Sequence, residues 1–399
     1  MPMTSGFHNL SSISDALETF LGSIAPLSGI ETVRLEDADE RVLAKKIIAP
    51  RDLPHYDRSL MDGYAVVASD TSKGAVLKLA TGDRVGHGEC MHVHTGSQVP
   101  EGADAVVMVE QTRLAGDHVE VLAPVSPGQN VGRAGGDVKK GGLVFPEGRQ
   151  LKPSDVGLLA SMGFIDVAVY ERPKVLVIPT GEELVPRGRE PAAGEMNESN
   201  GVMNLLYARR FGAIASVHGI VTDDRKKLAS ALGEGIGYDL IVTTGGSSVG
   251  RRDLIAEVVN SMGKVLVHGV AIKPGKSVAL GFVEAEGRRT PIACLPGYPS
   301  ACAIDSMVFV DPAIKKIGHM QPSSYRVRKA VLACSIFSGH GFRTYMHVAV
   351  QDGMATPLWG KNGSIVTAGD REEGYVIMPE DVEGYEAGSI VDVTFLESC

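Results

Sequence analysis

Two hydrophobic periods alternate along the chain, and the switches between them mark its parts. Residues 12–26, SISDALETFLGSIAP, place apolar side chains three and four apart, the spacing of a helix with one buried face. VRLEDADERVLAKKI (33–47) predicts a second helix. From residue 46 to 140 the period falls to two: AVLKLA, ADAVVMVE and DHVEVLAP are short runs separated by Gly, Pro and Asp. That texture predicts a β-rich domain of short strands. Helical spacing returns in PSDVGLLASMG (153–163), with Ser154 or Asp155 as the expected cap. Residues 1–45 and 141–170 are expected to form one discontinuous helical domain into which the β-rich part, 46–140, is inserted.

Between 171 and 325 apolar runs alternate with amphipathic segments. PKVLVIPT, AIASVHGIV, YDLIVTT, KVLVHGVAI and TPIACLPG read as strands; NGVMNLLYARRFG, DDRKKLASALGEGI, DLIAEVVNSMG and SACAIDSMVFVDPAIKKIG read as helices. Strand and helix alternating at this length predict an α/β domain with a largely parallel sheet covered on both faces. Residues 326–399 return to short strands (RKAVLACSIF, YMHVAV, GYVIMPE, SIVDVTF) and predict a C-terminal β domain. The expected fold class is therefore α/β plus β, in a multidomain chain.

Composition narrows the function. A hydrophobic content of 44% and a charged content of 22% are those of a globular protein that buries real cores. The net charge of −9 argues against general nucleic-acid binding. Cys90, Cys294, Cys302, Cys334 and Cys399 form neither a C-x-x-C pair nor an even framework, which points to a reducing, cytoplasmic setting. No apolar stretch is long enough to span a bilayer, and the first twenty residues lack the basic and apolar regions of a signal peptide. Neither a membrane nor a nucleic acid is expected as a partner.

The candidate chemistry lies in loops that follow predicted strands. TGEEL (180–184), TTGGSSVGRRD (243–253) and LPGYPSA (295–301) would share one sheet edge if their strands are parallel, where α/β sheets bind ligands. Arg251-Arg252 stand where a P-loop requires Lys-Ser/Thr, so the second loop is no ATP cradle. The loops offer hydroxyls, backbone N–H groups and the carboxylates Glu182, Glu183 and Asp253; VTDDRKKL adds Asp223 and Asp224, and AIKPGKS adds Lys273 and Lys276. Acids and bases converging on one site suit a phosphorylated ligand held with a divalent cation. Simpler readings stand beside this one: Asp253 as a helix N-cap, one of Asp223 and Asp224 as a cap, and KPGK as a solvated turn. His92 and His94 read as structural, because two histidines make too few ligands for a metal. Cys294 and Cys302 read as buried, inert thiols. Asp57 and Asp62 in HYDRSLMDGYA bracket a turn with no helix to cap.

DRSLMDGYAV (57–66), HTGSQVPEGADAVV (94–107), PTGEEL, TTGGSSVGRRD, IKPGKSVALG (272–281) and LPGYPSA occur in the order in which they stand in the molybdopterin molybdenumtransferases, the MoeA/gephyrin E-domain family. The chain resembles that family along nearly its whole length. The resemblance implies an enzyme that completes molybdenum cofactor: adenylated molybdopterin binds, molybdate enters at the dithiolene sulfurs, and AMP is released with a divalent metal, Mg²⁺ being usual. It implies four domains like those above and an elongated homodimer, with the cleft between the α/β domain and the partner's inserted domain. Transient contact with other proteins of cofactor synthesis is a further expectation.

By resemblance, Asp62, Glu183 and Asp253 match the family's acidic catalytic and metal-binding residues, with Asp223 or Asp224 as a further metal ligand and Asp137 as another acid. Thr95, Thr180, Gly181, Gly245, Gly246, Ser247, Ser248, Pro296 and Pro299 match pterin- and phosphate-binding positions. Lys273, Lys276, Arg343 and Ser364 match molybdate-binding ones. The chain departs from the family at Gly136, commonly Glu, at Ser300-Ala301, commonly Val-Ser-Ala after the proline, and at His268-Gly269, where a basic residue sometimes stands. Two other readings remain: a non-catalytic dimeric scaffold of the same fold, and the related molybdopterin adenylyltransferase, which resembles residues 171–320 alone. Tungstate in place of molybdate is compatible with the same residues.

Overall fold

The computed structural model describes residues 10–245, 251–358 and 372–396, with the side chains of 251–253 excepted. The chain divides into two compact units, one of residues 1–31 with 170–399 and one of residues 32–169.

The smaller unit carries a six-stranded sheet in the order Ala105–Met108, Gly63–Val66, Glu89–Val93, Val76–Leu79, His118–Val121, Thr112–Ala115. Its alternating runs bury Val66, Leu77, Cys90, Val107, Val119 and Val121 on one face, as the two-residue period requires. Pro153–Ser161 is helical, with Pro153 at its first position. Asp155 serves this helix from within its first turn, where its carboxylate accepts from the Lys152 N–H at 3.2 Å; neither it nor Ser154 is the N-cap residue. The segment 33–47 is not a helix. It forms the end of the strand Ile30–Arg34, a short 3₁₀ turn at Leu35–Asp37 and the strand Ile47–Ile48, with Glu40 in the left-handed region at φ 60°. Its backbone N–H groups are claimed by remote partners, Leu35 by Ile165 O and Leu43 by Arg149 O, and Leu35, Leu43 and Ile47 pack with Leu151 and Leu159. Tertiary packing overrides the local helical spacing here.

In the larger unit the helix Ile13–Gly22 opens at Ser12, whose hydroxyl accepts from the Asp15 N–H at 3.0 Å. Its buried face (Ile13, Ala16, Phe20) joins the core formed by Val175, Leu240 and Ile314. This helix and Pro153–Ser161 thus contribute to different cores. The central sheet has six strands in the order Ile214–Val217, Lys174–Pro179, Leu240–Thr244, Arg288–Leu295, Ala279–Ala285, Gly263–His268. The first four run parallel; Ala279–Ala285 is antiparallel to both of its neighbours. The parallel character therefore holds for the half that carries the predicted loops. Helices Asn200–Arg210, Arg225–Gly235 and Arg251–Met262 connect the strands. After the last parallel strand, helix Pro299–Asp305 runs through a widened π turn at Ser306–Val310 into Asp311–Ile317. The widening directly precedes Pro312, which lacks an N–H and cannot continue the regular bonding.

The C-terminal strands Arg326–Leu332, Arg343–Gln351, Met354–Pro357, Glu372–Met378 and Ile390–Phe395 close on themselves, because Arg343–Gln351 pairs with both Met354–Pro357 and Glu372–Met378. Leu332, Val348, Val376, Val393 and Phe395 fill the interior. The short strand Ile272–Lys273 joins this ring alongside Arg343–Gln351, with Ile272 opposite Arg343 and Lys273 opposite Thr344.

Candidate functional site

Three strand-end loops meet as their spacing predicts. Lys174–Pro179, Leu240–Thr244 and Arg288–Leu295 are consecutive parallel neighbours, so TGEEL, TTG and LPGYPS emerge side by side from their carboxyl ends. The Thr180 N–H donates to Thr244 O at 2.7 Å, and the Gly245 N–H to Leu295 O at 3.2 Å. Gly245 is required here: at φ +129° its backbone passes so close that a Cβ would lie 1.9 Å from Thr180 O. The loops line a cleft of about 380 Å³ with Thr180, Glu183, Thr244, Gly245, Tyr298 and Pro299 on its walls. Pro296 lines a smaller hollow beside it, together with Gly245 and Ser277.

The strand ladder also brings the acidic loop 221–224 to this edge, since Val221 bridges to Thr180 and accepts from the Gly181 N–H at 3.1 Å. The two aspartates there have different jobs. Asp224 is the N-cap of Arg225–Gly235 and accepts from the Lys226 and Lys227 N–H groups, both at 2.9 Å. The Lys227 N–H above all holds its carboxyl below the usual aspartate range, against a smaller opposing effect of burial. Asp223 is half-buried and takes no part in that cap. Asp253 is the third residue of Arg251–Met262, so it is not the residue that precedes the helix as an N-cap would. Gly246, Ser247, Ser248 and Ser364 lie outside the described residues.

The segment that carries Lys273 and Lys276 turns tightly after the strand Ile272–Lys273. Its carbonyls are used, with Lys276 O accepting from Val270 N–H and Gly275 O from Val278 N–H, both at 3.1 Å. The N–H groups of Gly275, Lys276 and Ser277 have no partner among the described residues, and both lysines are exposed. Unpaired N–H groups in a turn that carries two lysines are donors of the kind that suit an anion. Arg343 lies one strand away, with its guanidinium on Glu380 at 3.2 Å. Its charge is shared from the outset.

In the smaller unit Asp62 and Thr95 are brought together. The Thr95 N–H donates to Asp62 Oδ1 at 2.8 Å, and His94 Nδ1 stands 3.6 Å from the same oxygen. The Thr95 N–H is the chief reason that the Asp62 carboxyl is held below its ordinary range. Asp57 has a structural role: it accepts from Arg133 at 2.6 Å and from the Ala134 N–H at 2.8 Å, which fixes the turn that carries Asp62. Asp137 stands 3.5 Å from Arg58. Among the described residues no cluster of three or more His, Cys, Asp or Glu is close enough to hold a metal ion.

Cys294 and Cys302 are free and buried, and burial pushes the Cys294 thiol up to about 11 and that of Cys302 higher still. Neither is a nucleophile at neutral pH.

Asn200 has no place in the sequence expectations, although it lines the cleft. Its amide nitrogen donates to Gly297 O at 2.8 Å, while Oδ1 is buried with no partner among the described residues; Thr244 Oγ1 is in the same state. Buried polar atoms left open at a cleft wall suit a polar ligand. The signal was the N-terminus of the Asn200–Arg210 helix, where small polar residues follow a two-residue strand.

Residues 11–163 match the MoeA N-terminal region (domain I and II), 176–316 a probable molybdopterin binding domain and 329–396 the MoeA C-terminal region (domain IV). The chain is 34% identical over 92% of both sequences to a putative molybdopterin biosynthesis protein of Methanocaldococcus jannaschii. It is 30% identical to the molybdopterin molybdenumtransferase of Staphylococcus aureus, across 97% of this chain and 96% of that one. The crystal structure of a molybdopterin biosynthesis MoeA protein from Pyrococcus horikoshii superposes with a TM-score of 0.80 at 31% identity, covering 98% of this chain and all of that one. With its N-terminal, central and C-terminal regions matched in order and such relatives aligned end to end, the chain belongs to the MoeA family.

Proposed function

We propose that the protein inserts molybdate into adenylated molybdopterin and releases AMP, giving active molybdenum cofactor. The observation that carries this reading is the cleft at the ends of three parallel strands, with Asn200 Oδ1 and Thr244 Oγ1 unpartnered in its walls. The pterin and its phosphates bind there against Thr180, Gly181, Gly245, Gly246, Ser247, Ser248, Pro296 and Pro299. The turn with Lys273 and Lys276 receives the molybdate dianion, and Arg343 and Ser364 add donors. Water adding across the P–O–P bond yields AMP and the phosphate-terminated cofactor. Relatives that carry the names molybdopterin molybdenumtransferase and MoeA support the assignment. An adenylyltransferase of one α/β domain does not account for the matched N- and C-terminal regions.

The acids Glu183, Asp223 and Asp253 supply only oxygen donors, which suits Mg²⁺ completing its shell with water and substrate phosphate. When bound, such an ion would neutralise charge at the anhydride. Asp62 of the partner subunit would complete the set across a homodimer, with Thr95 holding its carboxylate in place. Among the described residues Cys90, Cys294, Cys302 and Cys334 are free, which fits the cytoplasm as the working compartment.

AMP release from adenylated molybdopterin, with and without molybdate, tests the reaction. Release that depends on molybdate supports an insertase; binding without release refutes it and leaves a scaffold. Lys276→Ala is expected to raise the half-saturating molybdate concentration about tenfold or more while adenylated pterin still binds. An unchanged half-saturation would remove Lys276 from the site. Asp224→Asn keeps a capping side chain and should leave turnover unchanged, whereas Asp223→Asn should lower it at least about tenfold.

A further inference from the structure

Asp305, the last residue of the helix Pro299–Asp305, is an acid with no obvious reason to be where it is. Its side chain is fully buried, and neither carboxyl oxygen has a hydrogen-bond partner among the described residues. Burial drives its pKa well above the usual aspartate value, which favours the neutral acid. It presses directly on the lysine turn: a Cβ built on Gly275 would lie 2.2 Å from Asp305 Oδ1 and 2.8 Å from Oδ2. Only glycine, here at φ +119°, lets the turn settle on the carboxyl so closely. The unpartnered N–H groups of Gly275, Lys276 and Ser277 belong to this same turn.

We propose that Asp305 is a positioning residue for the oxyanion turn: its carboxyl props Gly275 from beneath and so holds Lys273 and Lys276 in the arrangement that grips a tetrahedral dianion. The inference rests on the reading of that turn as the molybdate site. An uncharged prop suits the task. An ionised one would set a negative charge under the bound anion and offset one of the lysines. A buried polar group without a partner destabilises the free protein, and support of the turn gives it a function there. The helix places its other end, Pro299, in the pterin cleft, so one short rod touches both halves of the reaction.

The test is the rise in Tm of the full-length protein on adding molybdate alone, with sulfate as the control anion. Asp305→Asn, neutral and of the same shape, should keep the rise. Asp305→Ala should lose it without a lower Tm in the absence of the anion, and in AMP release its KM for molybdate should rise with kcat nearly unchanged. A merely structural residue would lower the Tm and leave the molybdate increment alone. Gly275→Ala, which disturbs the contact from the other side, should also lose the increment. If Asp305→Ala keeps the full increment while Lys276→Ala loses it, Asp305 has no such role and the turn is still the anion site. If Lys276→Ala keeps it too, or the unmodified protein shows none, the reading of the turn falls and the inference with it.

Discussion

Gly245→Ala is expected to destabilise the protein by roughly 2–4 kcal/mol, from overpacking against rigid backbone and from a left-handed φ together, and to abolish pterin binding. The added methyl would sit 1.9 Å from Thr180 O and 2.7 Å from Thr180 Oγ1. Thr180 cannot withdraw, because its N–H is fixed to Thr244 O at 2.7 Å and its neighbour Gly181 to Val221 O at 3.1 Å. The strain must therefore part the loops that line the cleft. Gly74→Ala is the control: at φ +84° it carries a similar backbone penalty but meets nothing within 4 Å. Urea unfolding and a binding titration on both variants separate steric from conformational cost. Equal effects would show that the close approach at Gly245 does not matter.

Asp62→Ala is expected to lower AMP release by about 10²–10⁴-fold, the range for loss of a positioned acid, base or charge partner, while leaving the fold intact. The side chain is 60% exposed, and its hydrogen bond is to a loop N–H, so little packing is lost. Because the Thr95 N–H lowers its folded pKa, the stability this contact gives is complete above the ordinary aspartate range and is lost only as pH falls through the lowered value. Asp62 is therefore a carboxylate throughout the neutral range. Mixing Asp62→Ala chains with Glu183→Ala chains should restore part of the activity if the two residues serve one site from different subunits. A mixture as inactive as its components would count against the dimeric site.

Much of this was legible in the sequence. Central strands such as LIVTT and KVLVIP are continuous apolar runs because both faces of a parallel sheet are covered, and the loops behind them kept their expected order. The hairpin joining Ala279–Ala285 to Arg288–Leu295 was hidden. Its two-residue turn, Glu286 at φ 52° and Gly287 at φ 77°, places a non-glycine residue in the left-handed region. The segment 33–47 has helical spacing but partners far along the chain, which no local window can see. Asp224 and Asp223 were indistinguishable until a helix start fell between them and the lysines. Asp305 left a trace, one acid in the apolar run ACAIDSMVFV, but only the fold shows what it touches.

The insertion of residues 32–169 between the first helix and its core has a consequence for synthesis on the ribosome. The helix Ile13–Gly22 emerges first, yet its burial partners, Val175 through Ile317, are translated only after the whole of the smaller unit. At ~5–20 residues per second this leaves Ile13, Ala16 and Phe20 exposed to solvent for on the order of ten seconds or more. The smaller unit, which has hydrophobic cores of its own, can fold meanwhile. A chain truncated after residue 170 and released from the ribosome should thus show a protease-resistant 32–169 and a cleavable N-terminus.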